Sequence, residues 1–182
     1  MKKHAKIIDE VKGTVEVGLG SDINFYKSIG MESLDVDIGY DGNWYLSNKL
    51  PVQSIEELKE QKIKQIDKET SESILSGFTY TIKDKERFFS YDSFDQQNFA
   101  DAANTALLSQ MQSNVKTIPT NVNWNSYVGE EKELEIITLD ASEFLDLYVN
   151  GALVHKNTKM QIGGQRKSQV AEVQSKEDLD KI

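Results

Sequence analysis

The sequence has no cysteine, two prolines, two histidines and no apolar run long enough to span a bilayer. Without cysteine there is no disulfide framework, no thiol nucleophile and no cysteine-rich zinc site. His4 and His155 fall in different modules, so neither a His-based triad nor a His-rich metal centre is expected. Basic residues are also scarce, 21 against 30 acidic ones for a net charge of -9, and they form no Lys/Arg-rich stretch. A surface that tracks phosphates concentrates Lys and Arg on one face, so nucleic acid is not an expected partner. The opening "MKKHAKIIDEVKG" is basic but lacks the apolar core of about 7 to 15 residues that a signal peptide needs. Synthesis in the cytoplasm, with no membrane partner, is the expectation. What the chain does have is 182 residues with 38% apolar composition, enough to bury a core in one domain or two small ones.

Residues 5–9 and 14–18 alternate apolar and polar around "EVKG", which predicts a hairpin. "SDINFYKSIG" has a Ser/Asp start and a glycine stop, the signature of one or two helical turns ended by Gly30. In "LDVDIGYDGNWYL" the alternation of Leu34, Val36 and Ile38 meets Asp41-Gly42 and resumes at Trp44 and Leu46, a second hairpin. Trp44 is the expected filler of this small core, with Tyr45 on the opposite face. Pro51, alone in its linker, closes the module.

From Ser54 the chain changes character. Ser54 and Glu57 form a capping box at the head of a long helix that stops at Gly77. Its apolar residues Ile55, Leu58, Ile63, Ile66, Ile74 and Leu75 make a thin, interrupted stripe. Such a face predicts a helix that bridges modules, or that packs on a partner helix or on copies of itself, rather than a buried core element. Beyond Gly77 the pattern hairpin then helix occurs twice, each helix starting after an aspartate, Asp92 and Asp140. The first helix carries Phe99, Ala102, Ala103, Ala106, Leu107 and Met111 at three-four spacing, and the second carries Phe144, Leu147, Tyr148, Gly151 and Val154. The predicted fold is α+β: a β-hairpin module over 1–52, a connecting helix over 53–77, and over 78–182 a ββα-ββα domain whose antiparallel sheet has its helices on one face. Gly163-Gly164 reads as a helix break, and Ser175 as the cap of a short terminal turn.

No set of residues converges on a reaction. The acidic stretch from Asp35 to Asn43 fails as a calcium loop, because with Asp37 first the third position is Gly39 and the twelfth is Asn48. Gly163-Gly164 lacks the strand and GK[ST] of a phosphate loop. The thirty carboxylates sit mostly in solvated patterns, with nothing to set two of them at glycosidase spacing. Phe88, Phe89, Tyr91, Phe94 and Trp124 suit the core of a small sheet better than a carbohydrate groove. No catalytic residue, metal ligand or cofactor is therefore assigned.

Four stretches, "GLGSD", "FYKSIGM", "DVDIGYDGNWYL" and the closing proline, resemble the opening module of small tail and tail-fibre-associated proteins of Gram-positive phages and prophages. "SIEELK" follows, as in that group. "FTYTIKDKERFFSYDSFDQQNF", "VNW" and "LDASEFLDLYVNGALVHKN" are similar to a C-terminal phage-tail domain of unknown function. The resemblance implies a location on a virion tail, at a fibre or baseplate, and fibre or baseplate proteins as partners, but no reaction. A structural part anchored by its N-terminal module is the expected role; a fibre assembly chaperone is the alternative, and a polysaccharide-cleaving tail enzyme comes third. The residues expected to meet partners are Tyr40, Trp44 and Tyr45 on the aromatic hairpin and Ile55, Leu58, Ile63 and Ile66 on the helix, with self-association expected through 54–76.

Overall fold

The computed structural model describes residues 1–111 and 121–182. The chain divides into two compact units, Met1–Leu58 and Lys59–Ile182, so the boundary falls inside the long helix. The class is α+β, as the sequence predicts, and no helix among the described residues is long and apolar enough to cross a membrane.

The first unit holds β1 (Lys2–Asp9), β2 (Thr14–Val17), α1 (Ile23–Ser28), β3 (Glu32–Ile38), β4 (Trp44–Leu46) and the first turn of α2 (Ile55–Leu75). Both predicted hairpins form. They also pair with each other, β1 with β3 and β2 with β4, which closes a four-stranded barrel in the order β1-β2-β4-β3. Ala5, Val15 and Val36 are its buried centre, flanked by Val17, Leu34, Trp44 and Leu46. The first turn is held by Asp9, whose carboxylate accepts from the Val11 and Lys12 amides at 2.8 and 3.0 Å. Asp22 caps α1 by accepting from the Phe25 amide at 3.0 Å, and Gly30 ends it at φ +83°, a conformation that favours glycine.

The second unit is the predicted ββα repeat. Strands β5 (Phe78–Ile82), β6 (Lys85–Phe89), β7 (Asn121–Val128) and β8 (Glu133–Asp140) form one antiparallel sheet in sequence order. Asp92 caps α3 (Ser93–Met111) by accepting from the Phe94 and Asp95 amides, both at 2.8 Å. Asp140 and Glu143 form a reciprocal capping box at the head of α4 (Ala141–Asp146). Phe78, Phe89, Phe99, Leu139, Phe144 and Leu147 make the centre of the core between the sheet and these helices. Trp124 lies 4.3 Å from Phe99 and 5.1 Å from Phe144, centroid to centroid, so it is core as expected. Phe94, by contrast, is exposed and Phe88 lies on the far face of the sheet.

Three sequence expectations are corrected. Leu107 and Met111 are exposed, because the buried stripe of α3 ends at Ala106. The stripe of the second helix holds through Phe144, Leu147, Tyr148 and Gly151 but not to Val154, because residues Leu147–Leu153 wind as a π-helical segment before α5 (Val154–Glu172). The wider turn rotates the register after Gly151, so Ala152 also faces the core and Val154 turns out. Gly163-Gly164 breaks nothing, since both lie inside α5. Gly163 is buried against Thr70 of α2, where any Cβ would collide with the threonine hydroxyl. Glycine is unfavourable inside a helix by about 1 kcal/mol relative to alanine, and the close approach of two helices offsets it.

That approach accounts for α2 from Lys59 onward. Its thin stripe predicts a helix outside any core, yet Ile66 is completely buried. The partner helix is α5 of the same chain, running antiparallel: Lys59 Nζ donates to the Ala171 carbonyl at 3.0 Å, Lys167 meets Asp67 at 2.7 Å, Arg166 meets Glu69 at 2.6 Å, and His155 Nε2 donates to the Ile74 carbonyl at 3.0 Å. α6 (Lys176–Leu179) ends the chain with Ser175 as its N-cap, as predicted.

The core face of the sheet also carries a buried cation. Arg87 Nη1 donates to Ser126 Oγ at 3.0 Å and Nη2 to Glu135 Oε1 at 3.1 Å, while Lys85 reaches Glu135 Oε2 at 2.7 Å. A guanidinium under a sheet is tolerated only when paired. Arg87 first, then Lys85, hold the Glu135 carboxyl down to about 2, from its ordinary 4.5. Glu135 therefore contributes stability that is complete above its ordinary value and is lost as pH falls toward about 2. In urea titrations the gap between the native chain and Glu135→Gln should be constant above pH 5 and should close progressively below about pH 4.5. A gap that persists unchanged at pH 2 would contradict the pairing.

Candidate functional site

The residues that set the first unit apart are glycines and the tyrosines laid on them. Tyr26 projects from α1 across the strand that precedes it, and a Cβ at Gly18 would stand 2.6 Å from its ring carbon Cε1. The Gly20 amide donates to the Tyr26 hydroxyl at 2.6 Å, and the ring stacks on His4 with centroids 6.0 Å apart. The spacing of "GLG" and "FY" is thus one contact: bare backbone receives the ring, and the ring pins α1 to the barrel.

The aromatic hairpin repeats the device. Tyr45 lies over Gly39, where a Cβ would stand 2.7 Å from ring carbon Cε2. The Asp41 carboxylate accepts from the Tyr45 hydroxyl at 2.7 Å, from Asn43 Nδ2 at 2.8 Å and from the Asn43 amide at 3.1 Å. The bonds from Tyr45 first and Asn43 next hold the Asp41 carboxyl below its usual range, and the bond to Asp41, with some burial, pushes the Tyr45 phenol up. Asp41 is therefore the latch of a turn. Trp44 packs against the barrel core and Tyr45 lies on the opposite face, as expected, but the degree of burial differs: Tyr45 is buried at 8% exposure, whereas Trp44 is only half-buried, with Lys3 Nζ 5.2 Å from its ring centroid. Alternation gives the face of each ring but not which face the turn covers.

Of the other predicted partner-binding residues, Tyr40 is half exposed and its hydroxyl donates to Glu57 at 3.3 Å. Glu57 is the capping-box carboxylate of α2, accepting from the Ser54 amide at 2.9 Å. The hairpin tip and the head of α2 are thereby joined, with Ile55 and Leu58 half-buried beside them. Ile63 and Ile66 lie in the second unit, half-buried and fully buried. The seven residues do not form one site.

What sequence reasoning missed is the exterior of the first unit. Its buried apolar residues are only Ala5, Val15, Met31, Val36 and Tyr45. Many more large apolar side chains stand outside, among them Ile8, Val11, Leu19, Ile23, Phe25 and Val52, with Val11, Leu19 and Val52 more than 80% exposed. On a unit of 58 residues whose barrel buries so few apolar side chains, large apolar groups outnumber those inside. Leu19, Ile23 and Phe25 flank the Tyr26 contact, so the glycine seats of Tyr26 also present them.

The second unit has a cleft of about 370 Å³ beside the π-helical segment, lined by Ser76, Tyr80, Asn150, His155, Thr158 and Lys159 among others. Tyr80, Asn150 and His155 are engaged in structural bonds. Asp146 accepts from Tyr80 and from Asn150 Nδ2, each at 2.7 Å, and the bond to Asp146, with some burial, pushes the Tyr80 phenol up to about 12. His155 stacks on Phe78 at 5.7 Å and spends Nε2 on Ile74, so it is a structural histidine rather than a base set against a nucleophile.

Residues 57–182 match the family described as a domain of unknown function, DUF4376. No curated protein and no solved structure matches the chain.

The geometry orders two substitutions. Tyr45→Ala should destabilise the barrel by about 3 kcal/mol, the range for a buried aromatic, and Trp44→Ala by less than about 2 kcal/mol, in proportion to its partial burial. Urea unfolding followed on the amide signals of β1 to β4 reads both, and the reverse order would show that Trp44 fills the barrel.

Proposed function

The chain belongs to the DUF4376 family over residues 57–182, and we propose that it is a structural component of a bacteriophage or phage-derived tail, at the baseplate or on a tail fibre. In this reading the first unit anchors and the second is carried. The observation that supports it best is the apolar exterior of the first unit, which has more large apolar groups outside than its barrel holds inside. Such a surface is stable in water only at a cost that docking removes. The resemblance of "GLGSD", "FYKSIGM" and "DVDIGYDGNWYL" to the opening module of phage tail proteins supports the same reading. The glycine seats give those motifs a physical purpose, which is to fix a rigid surface rather than a reactive group. The partners are fibre or baseplate proteins, and no catalysis is part of the role.

Mass spectrometry of purified particles from a phage or prophage encoding this chain tests the proposal. The chain should be present in intact particles at fixed stoichiometry. The double substitution Leu19→Asp and Phe25→Asp should leave the fold intact by circular dichroism and remove the chain from particles. A chain needed for fibre formation yet missing from finished particles would be an assembly chaperone instead. Normal incorporation of the double variant would show that this surface is not the anchor.

A further inference from the structure

The sheet of the second unit has a second face that its helices do not cover. Phe88 pairs with Tyr127 and Tyr127 with Leu134, so one row crosses three strands on the side opposite Phe89, Ser126 and Glu135. Ile136 lies two residues on, and Leu134 and Ile136 are 59% and 65% exposed. An antiparallel sheet with one free face ordinarily turns polar residues to water there, and this row does the opposite. At its end is a depression of about 420 Å³ whose lining includes Phe88, Tyr127, Glu86, Glu130 and Lys132. Lys132 Nζ stands 3.9 Å from the Phe88 ring centroid. It is held there by a hairpin turn in which Lys132 has φ +51° and Gly129 φ +71°.

We infer that this face is a docking site for a partner protein segment that presents an arginine or lysine beside apolar side chains. Three features select that occupant. Phe88 already takes a cation on its face, the geometry of a cation-π contact. Glu86 and Glu130 supply negative charge to the same depression. Phe88, Tyr127, Leu134 and Ile136 give the flanking apolar surface, with aromatics at its centre as in the energetic centre of interfaces. A second copy of this chain is disfavoured by the net charge of -9 that each copy carries. Lys132 is then an internal occupant that a partner's cation displaces. This site is separate from the anchoring surface of the first unit and does not depend on it.

The probe is an acetylated, amidated hexapeptide alternating valine and arginine, titrated into the isotope-labelled full chain at low salt, with the valine-glutamate hexapeptide as control. Amide shifts should centre on Phe88, Tyr127 and Gly129 with the arginine peptide only. Glu86→Gln with Glu130→Gln should weaken binding about tenfold, and Lys132→Asn should strengthen it about threefold, the scale of one or two exposed charge contacts. Asparagine tolerates the left-handed turn, and the same spectra report whether each variant is folded. The proposal is overturned if the glutamate peptide binds equally, if millimolar arginine peptide moves none of the three amides, or if Lys132→Asn weakens binding. It is also overturned if sedimentation finds a dimer that Leu134→Lys abolishes, since the occupant would then be a second copy.

Discussion

A side chain laid where only glycine leaves room is the contact on which both units close. In the barrel, Tyr26 rests on Gly18 and Tyr45 on Gly39. In the second unit, a Cβ at Gly151 would stand 2.8 Å from Phe78, and Thr70 fills the space left at Gly163. Each contact brings a helix or a turn closer to its neighbour than side chains allow. Dispersion falls steeply with separation, so close approach is how so small a core gains packing. The barrel has few buried apolar residues, and without these seats α1 and the aromatic hairpin would have little to hold them.

The same constraint bears on the proposed role. Because Tyr26 and Tyr45 turn inward onto backbone, apolar neighbours such as Leu19, Ile23 and Phe25 are left facing water on a surface that has been made rigid. Preorganised apolar surface loses little conformational entropy on docking, which suits an anchor better than a flexible tail would. The second unit uses its seats differently. Gly151 and the bonds of Tyr80 and Asn150 to Asp146 fix the π-helical segment to β5, while Gly163 lets α2 and α5 share ion pairs along their length. Tyr80, Asn150 and His155 beside the cleft are all used in this bracing.

Much of this was legible in the sequence wherever the cause is local. The caps Asp22, Asp92, Asp140 and Ser175, the capping box of Ser54 with Glu57, both hairpins of the barrel and the ββα repeat all rest on residues within a few positions of each other. What was not legible depends on distant residues. Gly163-Gly164 has the composition of a break and becomes a seat only because Thr70 lies opposite. The π-helical segment follows from packing against β5 and has no local signal. Whether Trp44 or Tyr45 is buried depends on how the Gly39 turn folds over, and pairing of Arg87 with Glu135 needs the register of three strands. The apolar exterior was visible as composition, but only the closed barrel shows how few of those residues it can take inside.

Gly163 and Gly164 provide the most direct test, because they are adjacent in one helix and differ only in what they face. A Cβ at Gly163 would strike Thr70, whereas one at Gly164 would meet nothing within 4 Å. Urea unfolding of the two alanine variants is the measurement. Gly164→Ala should stabilise the second unit by up to about 1 kcal/mol through helix propensity, and Gly163→Ala should destabilise it by about 1 to 3 kcal/mol through overpacking. Equal stabilisation by both would contradict the claim that the fold closes on glycine seats.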